Sequence, residues 1–379
     1  MTKLDELIQE LCPDGVEYKE LQEILTIKNG SDYKHLSKGD IPVYGSGGIM
    51  TYVETFSYDK PSVLIPRKGS IDKLYYVEAP FWNVDTIFYT DIDSTQIKPK
   101  YLFYCLQREH LEQYNTAGGV PSLTQAVLNK VQIPVPPQPV QREIVRILDN
   151  FTELTTELTA ELTARKKQYE FYRDKLLDFA GNTDVKNVPL GDIAKFVYGY
   201  TDKAKETGSV RFVRITDISE DGRLNPYDAK YVELTDESKK YLLKKGDLLL
   251  ARTGATYGKT LYFEEDEPAV YASFLIKIIL DNSVIKNRYY WHFSKSSLYW
   301  EQAERYVSKG GQQQFNTNAV SRVIVPIPSL EVQDRIIYVL DNFDAICTDL
   351  SSGLPAEIEA RQKQYEYYRD KLLSFEEKI

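Results

Sequence analysis

Two short segments contain residue types that could act on phosphates or metals. Residues 254–260 (GATYGKT) follow an apolar run and resemble a phosphate-binding loop, in which four residues separate the glycines so that backbone amides can wrap the phosphates. Here only three residues separate Gly254 from Gly258, and the following sequence alternates as a strand does instead of opening a helix. The pattern therefore favours a tight turn between strands over a nucleotide site.

Residues 13–19 (PDGVEYK) have the residue types of a nuclease metal site, in which two carboxylates converge on one cation. Only two residues separate Asp14 from Glu17, which is too short for a hairpin and favours a turn. The segment 225–228 (NPYD) has one proline where adenine methyltransferase motifs have two. No Ser, His and Asp set and no Cys and His pair has supporting spacing. The sequence therefore predicts no catalytic residues.

The composition limits other classes of site. The 379 residues carry a net charge of −9, which argues mildly against a protein whose main ligands are phosphate groups. The three cysteines lie far apart and the three histidines cluster with none of them, so we predict no disulfide framework, no metal site and no cofactor. Neither a signal-peptide pattern nor a run of 18 apolar residues occurs, so we expect a soluble, cytoplasmic protein without membrane contact.

The element that would position a site is a segment that occurs twice. Residues 165–179 (RKKQYEFYRDKLLDF) return as residues 361–375 (RQKQYEYYRDKLLSF). Both copies lack Gly and Pro, and their aromatic and leucine residues recur at intervals of 3, 4 and 3. This spacing is typical of a helix with one narrow apolar face.

The rest of the chain repeats the same plan. Residues 62–70 (SVLIPRKGS) align with 247–255 (DLLLARTGA), and 118–136 align with 310–328. Each half contains a mixed α and β domain, a proline-rich hinge and a long helix. The predicted boundaries are 1–139 for the first domain, 140–181 for the first long helix, 182–328 for the second domain and 329–379 for the second long helix.

Two features bear on the length of the long helices. The first helix contains a four-residue repeat, TELT TELT AELT, at 152–163. This repeat is either a solvated surface with a leucine at every fourth position or a spacer whose length matters. The second helix is predicted to break near 353–355, because Gly353 and Pro355 cannot continue a helix, with Pro355 opening a new one.

Together these features resemble the specificity subunit of type I restriction-modification enzymes. The resemblance lies in the two-copy layout, in the pair IPVPPQPVQREIVRILDNF and VPIPSLEVQDRIIYVLDNF, and in the repeated QYE-[FY]-YRDKLL helices. The segments VYGSGGI, LIPRKGSI and FWNVDTIFY are also similar to parts of that family's target-recognition domains. The resemblance covers essentially the whole chain.

The resemblance implies an α+β fold in which two mixed α/β target-recognition domains are separated by two long antiparallel helices. These helices form a coiled-coil-like spacer with an internal pseudo-two-fold repeat. It also implies a non-catalytic subunit whose domains each read one half of a bipartite, asymmetric target in double-stranded DNA. The implied partners are two modification subunits that methylate adenine and restriction subunits that cut using ATP. An alternative hypothesis that stays open is a repeat-built scaffold that binds proteins without DNA specificity. A self-contained nuclease or methylase is a third and weaker hypothesis.

Within the domains, residue chemistry indicates candidate DNA contacts. Glycine-rich turns let backbone approach phosphates, arginine is the commonest bidentate partner of guanine, and amide side chains suit adenine. The competing interpretation is that the glycine-rich turns are only turns and that Arg67 and Arg252 are buried structural pairs. The candidates are Tyr44, Gly45, Ser46, Gly47, Arg67, Lys68, Gly69, Asn83, Gly118, Gly119, Arg214, Arg252, Thr253, Gly254, Tyr257, Lys259, Lys309, Gly310, Gly311, Gln312, Gln313, Gln314 and Asn316.

The repeated helices supply the candidate contacts to protein partners. Their aromatic seam is a packing surface first, and their charged faces are the expected place for partner subunits. The candidates are Arg165, Lys166, Tyr169, Tyr172, Arg173, Arg361, Tyr365, Tyr368 and Arg369.

Overall fold

The fold is taken from a computed structural model, which describes residues 2–115, 118–308, 313–349 and 352–378. The first half opens with a short helix capped by Thr2, whose hydroxyl accepts a hydrogen bond from Asp5 N at 3.2 Å. Its elements are α1 Lys3–Leu11, β1 Tyr18–Glu20, α2 Leu21–Ile24, β2 Leu25–Asn29, β3 Lys38–Gly45, β4 Gly48–Val53, β5 Ser62–Pro66, β6 Tyr75–Val77, β7 Trp82–Asn83, β8 Ile87–Ile92, α3 Pro99–Arg108, α4 Gln125–Leu128, β9 Gln132–Pro134 and α5 Gln138–Leu177.

The second half repeats this order from β1 onward, adds a helix after the equivalent of α3 and has two helices, α10 and α11, in place of α5. Its elements are β10 Lys186–Pro189, α6 Leu190–Ile193, β11 Ala194–Tyr198, β12 Val210–Val213, β13 Tyr231–Val232, β14 Leu248–Ala251, β15 Thr260–Tyr262, β16 Ala269–Tyr271, β17 Leu275–Leu280, α7 Asn287–Phe293, α8 Ser297–Tyr306, α9 Thr317–Val320, β18 Ile324–Ile327, α10 Leu330–Thr348 and α11 Leu354–Leu372.

The chain forms two compact units that share the long helices. Unit 1 consists of Met1–Thr159 and Glu357–Ile379, and unit 2 consists of Ala160–Ala356. The first part of α5 therefore belongs to unit 1 and its end to unit 2. Each unit contains one mixed domain, the beginning of one long helix and the repeated end of the other.

The two units contain equivalent sheets. Unit 1 has a four-stranded sheet in the order β2-β8-β5-β6, a three-stranded sheet β4-β3-β7 and the pair β1-β9. Unit 2 has β11-β17-β14-β15, β13-β12-β16 and β10-β18. The pairing of β2 with β8 has the same register as that of β11 with β17. The last residue of β2, Asn29, lies opposite Phe88, and the last residue of β11, Tyr198, lies opposite Ile276. The α+β fold class and the internal repeat predicted from the sequence are confirmed.

Helix α5 is continuous over 40 residues and includes the whole TELT repeat. It begins at Gln138, earlier than predicted, because Pro139 falls in the first turn, where its missing N–H has no helical partner to lose. The repeat's threonines do not interrupt the helix, since their hydroxyls donate to carbonyls four residues earlier; Thr155 bonds Phe151 O at 3.0 Å and Thr156 bonds Thr152 O at 2.8 Å.

The second long helix is interrupted between Thr348 and Leu354, close to the predicted position near 353–355. Helix α10 ends at Thr348 and α11 begins at Leu354, with Pro355 in its first turn. A Cβ at Gly353 would lie 2.7 Å from the carbonyl oxygen of Asp349, so a side chain there would not fit. No helix in the described ranges is both long and apolar enough to cross a membrane.

Buried glutamines attach each long helix to its own domain. Gln141 in α5 donates to Gln96 O at 2.9 Å and to Pro136 O at 2.8 Å, and it accepts from Lys98 N at 2.7 Å. Gln333 in α10 makes the same three bonds in unit 2, at 2.9, 3.0 and 2.9 Å. Both side chains are fully buried, so these bonds fix where each long helix leaves its domain.

The repeated helix packs in the same way in both units. In unit 1, Tyr368 of α11 stacks on Phe151 of α5 with 5.4 Å between ring centroids. In unit 2, Tyr172 of α5 stacks on Phe343 of α10 at 5.5 Å. The beginning of each long helix thus contacts the end of the other inside one unit.

Candidate nucleic-acid interface

The arginine turn and the glycine-rich loop of unit 1 lie side by side. Leu123 N donates to Arg67 O at 2.9 Å, and Gly69 N donates to Pro121 O at 3.0 Å. Gly69 has φ +80°, a left-handed conformation that glycine adopts without strain and that turns the chain toward the loop. Two motifs about 50 residues apart in the sequence are therefore one surface.

The hairpin turn between β3 and β4 borders the same surface. Ser46 N donates to the hydroxyl of Thr86 at 3.3 Å, and Thr86 O accepts from Arg67 N at 3.0 Å. A Cβ on Gly69 would lie 3.8 Å from Ser46 Oγ. The structure thus brings together the predicted residues of the hairpin turn, the arginine turn and the loop.

Unit 2 has the equivalent arrangement. Phe315 N donates to Arg252 O at 2.7 Å, and Arg252 N donates to Phe274 O at 3.1 Å. The hydroxyl of Thr253 donates to Gln313 O at 3.2 Å. The predicted contacts Lys309, Gly310, Gly311 and Gln312 lie outside the described residues.

Several of the predicted residues are accessible on these surfaces. Lys68 and Gly47 are exposed in unit 1, and Gln313 and Gln314 are exposed in unit 2. Gly118 and Gly119 are also exposed, and a Cβ built on either would meet no atom within 4 Å. The backbone at these glycines is open to a ligand such as a phosphate group.

Other predicted DNA contacts have structural roles. Asn83 is fully buried and its amide donates to Ile87 O at 2.9 Å, so it cannot contact DNA in this structure. Thr253 is also buried, and its hydroxyl is used by the loop bond described above. Tyr44 packs edge-on against Phe81 at 6.2 Å, and burial raises the pKa of its hydroxyl.

Arg214 and Asn316 are likewise occupied within unit 2. The guanidinium of Arg214 donates to both carboxylate oxygens of Asp217, at 2.6 and 3.2 Å, and reaches Asp228 at 3.4 Å. Asn316 caps α9, its side-chain oxygen accepting from Ala319 N at 3.1 Å. These two residues organise loops and are not free to read bases.

The remaining predicted residues are buried or belong to the 254–260 turn. Gly45 is buried, and a Cβ there would lie 2.6 Å from the sulfur of Met50. Gly254 has φ +75°, and the ring of Tyr257 packs edge-on against Trp300. Lys259 lines a cavity of about 920 Å³ in unit 2, together with residues 219–227 and the end of α5. The turn between β14 and β15 is confirmed as a connection between strands.

Unit 2 holds the repeated helix through a buried polar cluster. His292 lies between Tyr169, whose hydroxyl is 3.2 Å from Nδ1, and Asp341, whose carboxylate is 2.7 Å from Nε2. Asp341 also accepts from Arg288 at 2.7 Å. Burial raises the pKa of Asp341, but the bonds from His292 and Arg288 bring it below its ordinary value. An ionised Asp341 only accepts, so Nε2 carries the imidazole proton and Nδ1 accepts from Tyr169.

The protonation of His292 should make the stability of unit 2 depend on pH. Burial lowers the pKa of His292 to about 4 from its ordinary value of 6.5. Between pH 6.5 and pH 4 the unfolded chain therefore takes up a proton that the folded chain does not. We expect His292 to contribute a loss of about 3 kcal/mol in unfolding free energy across this range, measured by chemical denaturation at a series of pH values.

Substitution isolates the contribution of His292 from that of the carboxylates. The variant His292→Gln should show a shallower fall in stability between pH 6.5 and pH 4 than the wild type. The exposed His35, which lies in unit 1 and outside the buried cluster, supplies the control, because His35→Gln should retain the fall in stability assigned to His292. Equal pH profiles for His292→Gln and the wild type would contradict the assignment.

Many of the predicted partner contacts on the repeated helices are covered. Tyr169 and Arg369 are buried in their units, and the side chain of Arg173 is 12% exposed. Tyr365 donates to Gln107 at 2.7 Å inside unit 1. These residues attach the helix to its domain.

Charged and half-buried candidates remain along the same helices. Arg165 and Arg361 pair with Glu161 and Glu357, one turn earlier, at 3.3 and 3.4 Å. Lys166 is exposed at the edge of the cavity in unit 2. Tyr172 and Tyr368 are partly accessible beside the aromatic stacks described above.

Sequence reasoning missed two exposed aromatic residues of these helices. Phe171 and Tyr367 occupy equivalent positions and are each 62% exposed. A lysine four residues later covers each ring, Lys175 at 5.9 Å and Lys371 at 6.0 Å from the centroid. The signal was present, since each follows the first seam tyrosine, Tyr169 or Tyr365, by two residues and so lies on a different side of the helix from it. Each ring contacts the second seam tyrosine, Tyr172 or Tyr368, edge-on.

Comparison with known proteins decides the family. The profile described as the type I restriction modification DNA specificity domain matches residues 13–165 and again residues 182–360. The chain belongs to this family. The two matches fall on the two halves of the repeat, so each half is one specificity domain.

Relatives of this specificity-domain chain extend over most of its length. A candidate type I restriction enzyme specificity subunit of Haemophilus influenzae is 33% identical, over 95% of this chain and 96% of the relative. A type I restriction enzyme specificity subunit of Escherichia coli is 32% identical, over 76% of this chain and 73% of the relative.

Solved structures of low sequence identity share the specificity-domain fold. The S subunit of a type I restriction-modification system from Mycoplasma genitalium has a TM-score of 0.59 at 16% identity, covering 95% of this chain and 96% of that one. A chain from a study of complex assembly and conformational transition in the type I system has a TM-score of 0.62 at 15% identity, covering 96% and 98%. These likenesses concern the fold alone.

Proposed function

We propose that this chain is the DNA-recognition subunit of a type I restriction-modification system. Each mixed domain reads one half of a bipartite, asymmetric target in double-stranded DNA. The observation that carries the proposal is the duplicated surface on which an arginine turn meets an accessible loop, found once in each specificity domain. Backbone open at glycines, a cation and exposed amides are the groups that contact phosphates and base edges.

The chain itself supplies recognition and no chemistry. In the proposed complex, two modification subunits bring adenine methylation, and restriction subunits that use ATP join them in the cytoplasm. The duplication supports two equivalent docking places, because each unit presents one copy of the repeated helix.

Co-expression with the cognate modification subunit in a host that lacks other adenine methylation tests the proposal. Sequencing that detects methylated adenine should find one bipartite motif throughout the host genome. The same host with the modification subunit alone is the control. Absence of a shared motif together with DNA binding that ignores sequence would refute the proposal and favour a protein-binding scaffold.

The exposed aromatic residues of the repeated helices should carry part of the docking energy. We expect Phe171→Asp to remove one modification subunit from the complex and the double variant with Tyr367→Asp to remove both. Loss of an aromatic anchor that becomes buried in the complex costs at least about 2 kcal/mol, or about 30-fold in affinity. The mass of the purified complex measures the stoichiometry.

A surface aromatic residue elsewhere provides the matched control. Tyr338 in α10 is 72% exposed, and Tyr338→Asp should leave the complex at full mass. Should both Phe171→Asp and Tyr367→Asp retain two modification subunits, docking must use another face.

A further inference from the structure

The two arginine turns have the same backbone frame but different surroundings. Arg67 and Arg252 are equivalent, because Arg67 N donates to Thr86 O and Arg252 N donates to Phe274 O. Thr86 and Phe274 therefore occupy the same place in the two units. Thr86 is half-buried, whereas the ring of Phe274 is 51% exposed.

A second pair of positions differs beside the same turns. Asn29 is the last residue of β2 and lies opposite Phe88, and Tyr198 is the last residue of β11 and lies opposite Ile276. Unit 1 thus has a small amide where unit 2 has an aromatic ring that is 41% exposed. Unit 2 leaves two large rings in solvent at positions where unit 1 has polar side chains.

In unit 2 both rings hold the arginine. The guanidinium carbon of Arg252 lies 5.3 Å from the ring centroids of Tyr198 and of Phe274, within the range of a cation–π contact. Arg252 Nε donates to Ser273 O at 3.2 Å. Among residues 2–115, 118–308, 313–349 and 352–378, no group accepts a hydrogen bond from Nη1 or Nη2. The two terminal nitrogens of Arg252, which make bidentate contacts, are therefore held in place and available to a ligand.

In unit 1 the equivalent Arg67 is held through its terminal nitrogen Nη1, whereas Arg252 is held through Nε. Arg67 Nη1 lies 3.4 Å from both Asn29 Oδ1 and Asp85 O. Its guanidinium carbon lies 5.2 Å from the centroid of the buried Phe88 ring. One terminal nitrogen is thus directed into the unit, so Arg67 is not placed for a bidentate contact.

Two domains that read different half-sites must differ where they read. The backbone frame is common to both units, so it cannot distinguish the half-sites. The differences at positions 29 and 198 and at 86 and 274 change how the arginine is presented. A guanidinium with both terminal nitrogens available matches the two acceptors of guanine in the major groove.

We propose that Arg252 reads a guanine in the half-site of the second domain, with Tyr198 and Phe274 as positioning residues. Arg67 instead supports the first domain's frame, and that domain reads its half-site through other residues. This inference rests on the proposed function, because it presumes that each domain reads one half-site.

Selection from a randomised double-stranded DNA library tests the inference. The full chain in complex with its modification subunits binds the library, and sequencing of the bound DNA gives the base preference at each position. With Arg252→Ala, the preference for guanine at one position of one half-site should fall by about 10- to 100-fold. The double variant Tyr198→Asn with Phe274→Thr, which installs the residues of unit 1, should weaken the same position. Arg67→Ala is the matched control and should preserve the preference at that guanine.

The outcomes separate the inference from the proposed function. A wild-type complex that selects no sequence refutes the proposed function. A wild type that selects two half-sites, with unchanged preferences in the Arg252→Ala and double variants, overturns the inference alone. Weakening by the same factor for all sequences also overturns it, because that result identifies a phosphate contact. Tyr198 and Phe274 are exposed, so the double variant remains informative if Arg252→Ala fails to fold.

Discussion

Replacement of Asp344 by alanine is expected to lower the unfolding free energy of unit 2 by about 3 to 5 kcal/mol, because it leaves buried cations without their counter-ion. The side chain of Asp344 is 2% exposed. It accepts from Lys295 Nζ at 3.0 Å and also pairs with Arg223. Burial raises its pKa, but these two cations bring the pKa below its ordinary value, so the carboxylate is ionised at neutral pH.

Lys295 has few alternatives once the carboxylate is gone. Its ammonium lies 3.7 Å from the centroid of the Trp291 ring, and burial lowers its pKa to about 8. Chemical denaturation followed by tryptophan fluorescence, to which the buried Trp291 contributes, measures the loss. The double variant Asp344→Ala with Lys295→Met should be less destabilised than Asp344→Ala, since it removes the orphaned charge together with its partner.

The equivalent place in unit 1 supplies a neutral comparison. Thr152 and Gln107 align with Asp344 and Lys295 in the repeat, and the Thr152 hydroxyl donates to Leu148 O at 3.1 Å. Thr152→Ala should cost about 1 kcal/mol or less. A similar cost for Thr152→Ala and Asp344→Ala would contradict the role assigned to buried charge.

The features that the sequence predicted correctly are mostly local. The repeated helices follow from apolar spacing, and the break before α11 follows from Gly353 and Pro355, whose backbone limits act on their immediate neighbours. The duplication was visible because aligned segments show it without knowledge of contacts. For the same reason the 254–260 turn could be separated from a phosphate loop by counting residues.

The assignment of each repeated helix to a unit was not predictable in this way. Tyr365 bonds Gln107, which is 258 residues away along the chain, and Tyr169 meets His292 across 123 residues. Apolar spacing indicates which face of a helix is buried but not which domain buries it. That choice depends on the complementarity of side chains distant in sequence.

The same distinction, between local features and contacts distant in sequence, applies to the candidate DNA contacts. The two arginine turns and their loops were selected by residue chemistry, and backbone hydrogen bonds bring them together in each unit. Arg214 instead pairs chiefly with Asp217, three residues later, and also reaches Asp228; residue type alone does not distinguish an arginine held in this way from one that faces a ligand. Asn316 was a recognisable helix cap, since Thr124 caps α4 at the equivalent position of the first half.

Deletion of one TELT unit, residues 156–159, is expected to change the distance between the half-sites while leaving each half-site intact. Helix α5 is continuous through the repeat and contributes to both units. Four residues remove about 6 Å of helix, which corresponds to nearly two base pairs of about 3.4 Å each. Four residues also turn the helix through about 400°, so the following residues keep nearly the same facing.

Methylation mapping of the host genome measures the result. The motif of the deletion variant should contain the wild-type half-sites separated by one or two fewer base pairs, and insertion of a fourth TELT unit should lengthen the gap equally. Replacement of residues 156–159 by AELA keeps the length and the partly buried Leu158 while removing the threonine bonds to carbonyls four residues earlier, so it should keep the gap. Two results would show that α5 is not the spacer. One is a change in the half-sites themselves after the deletion; the other is a gap that changes in the equal-length replacement but not in the deletion or the insertion. In that case the leucines of the repeat would be only the partly buried face of a solvated helix.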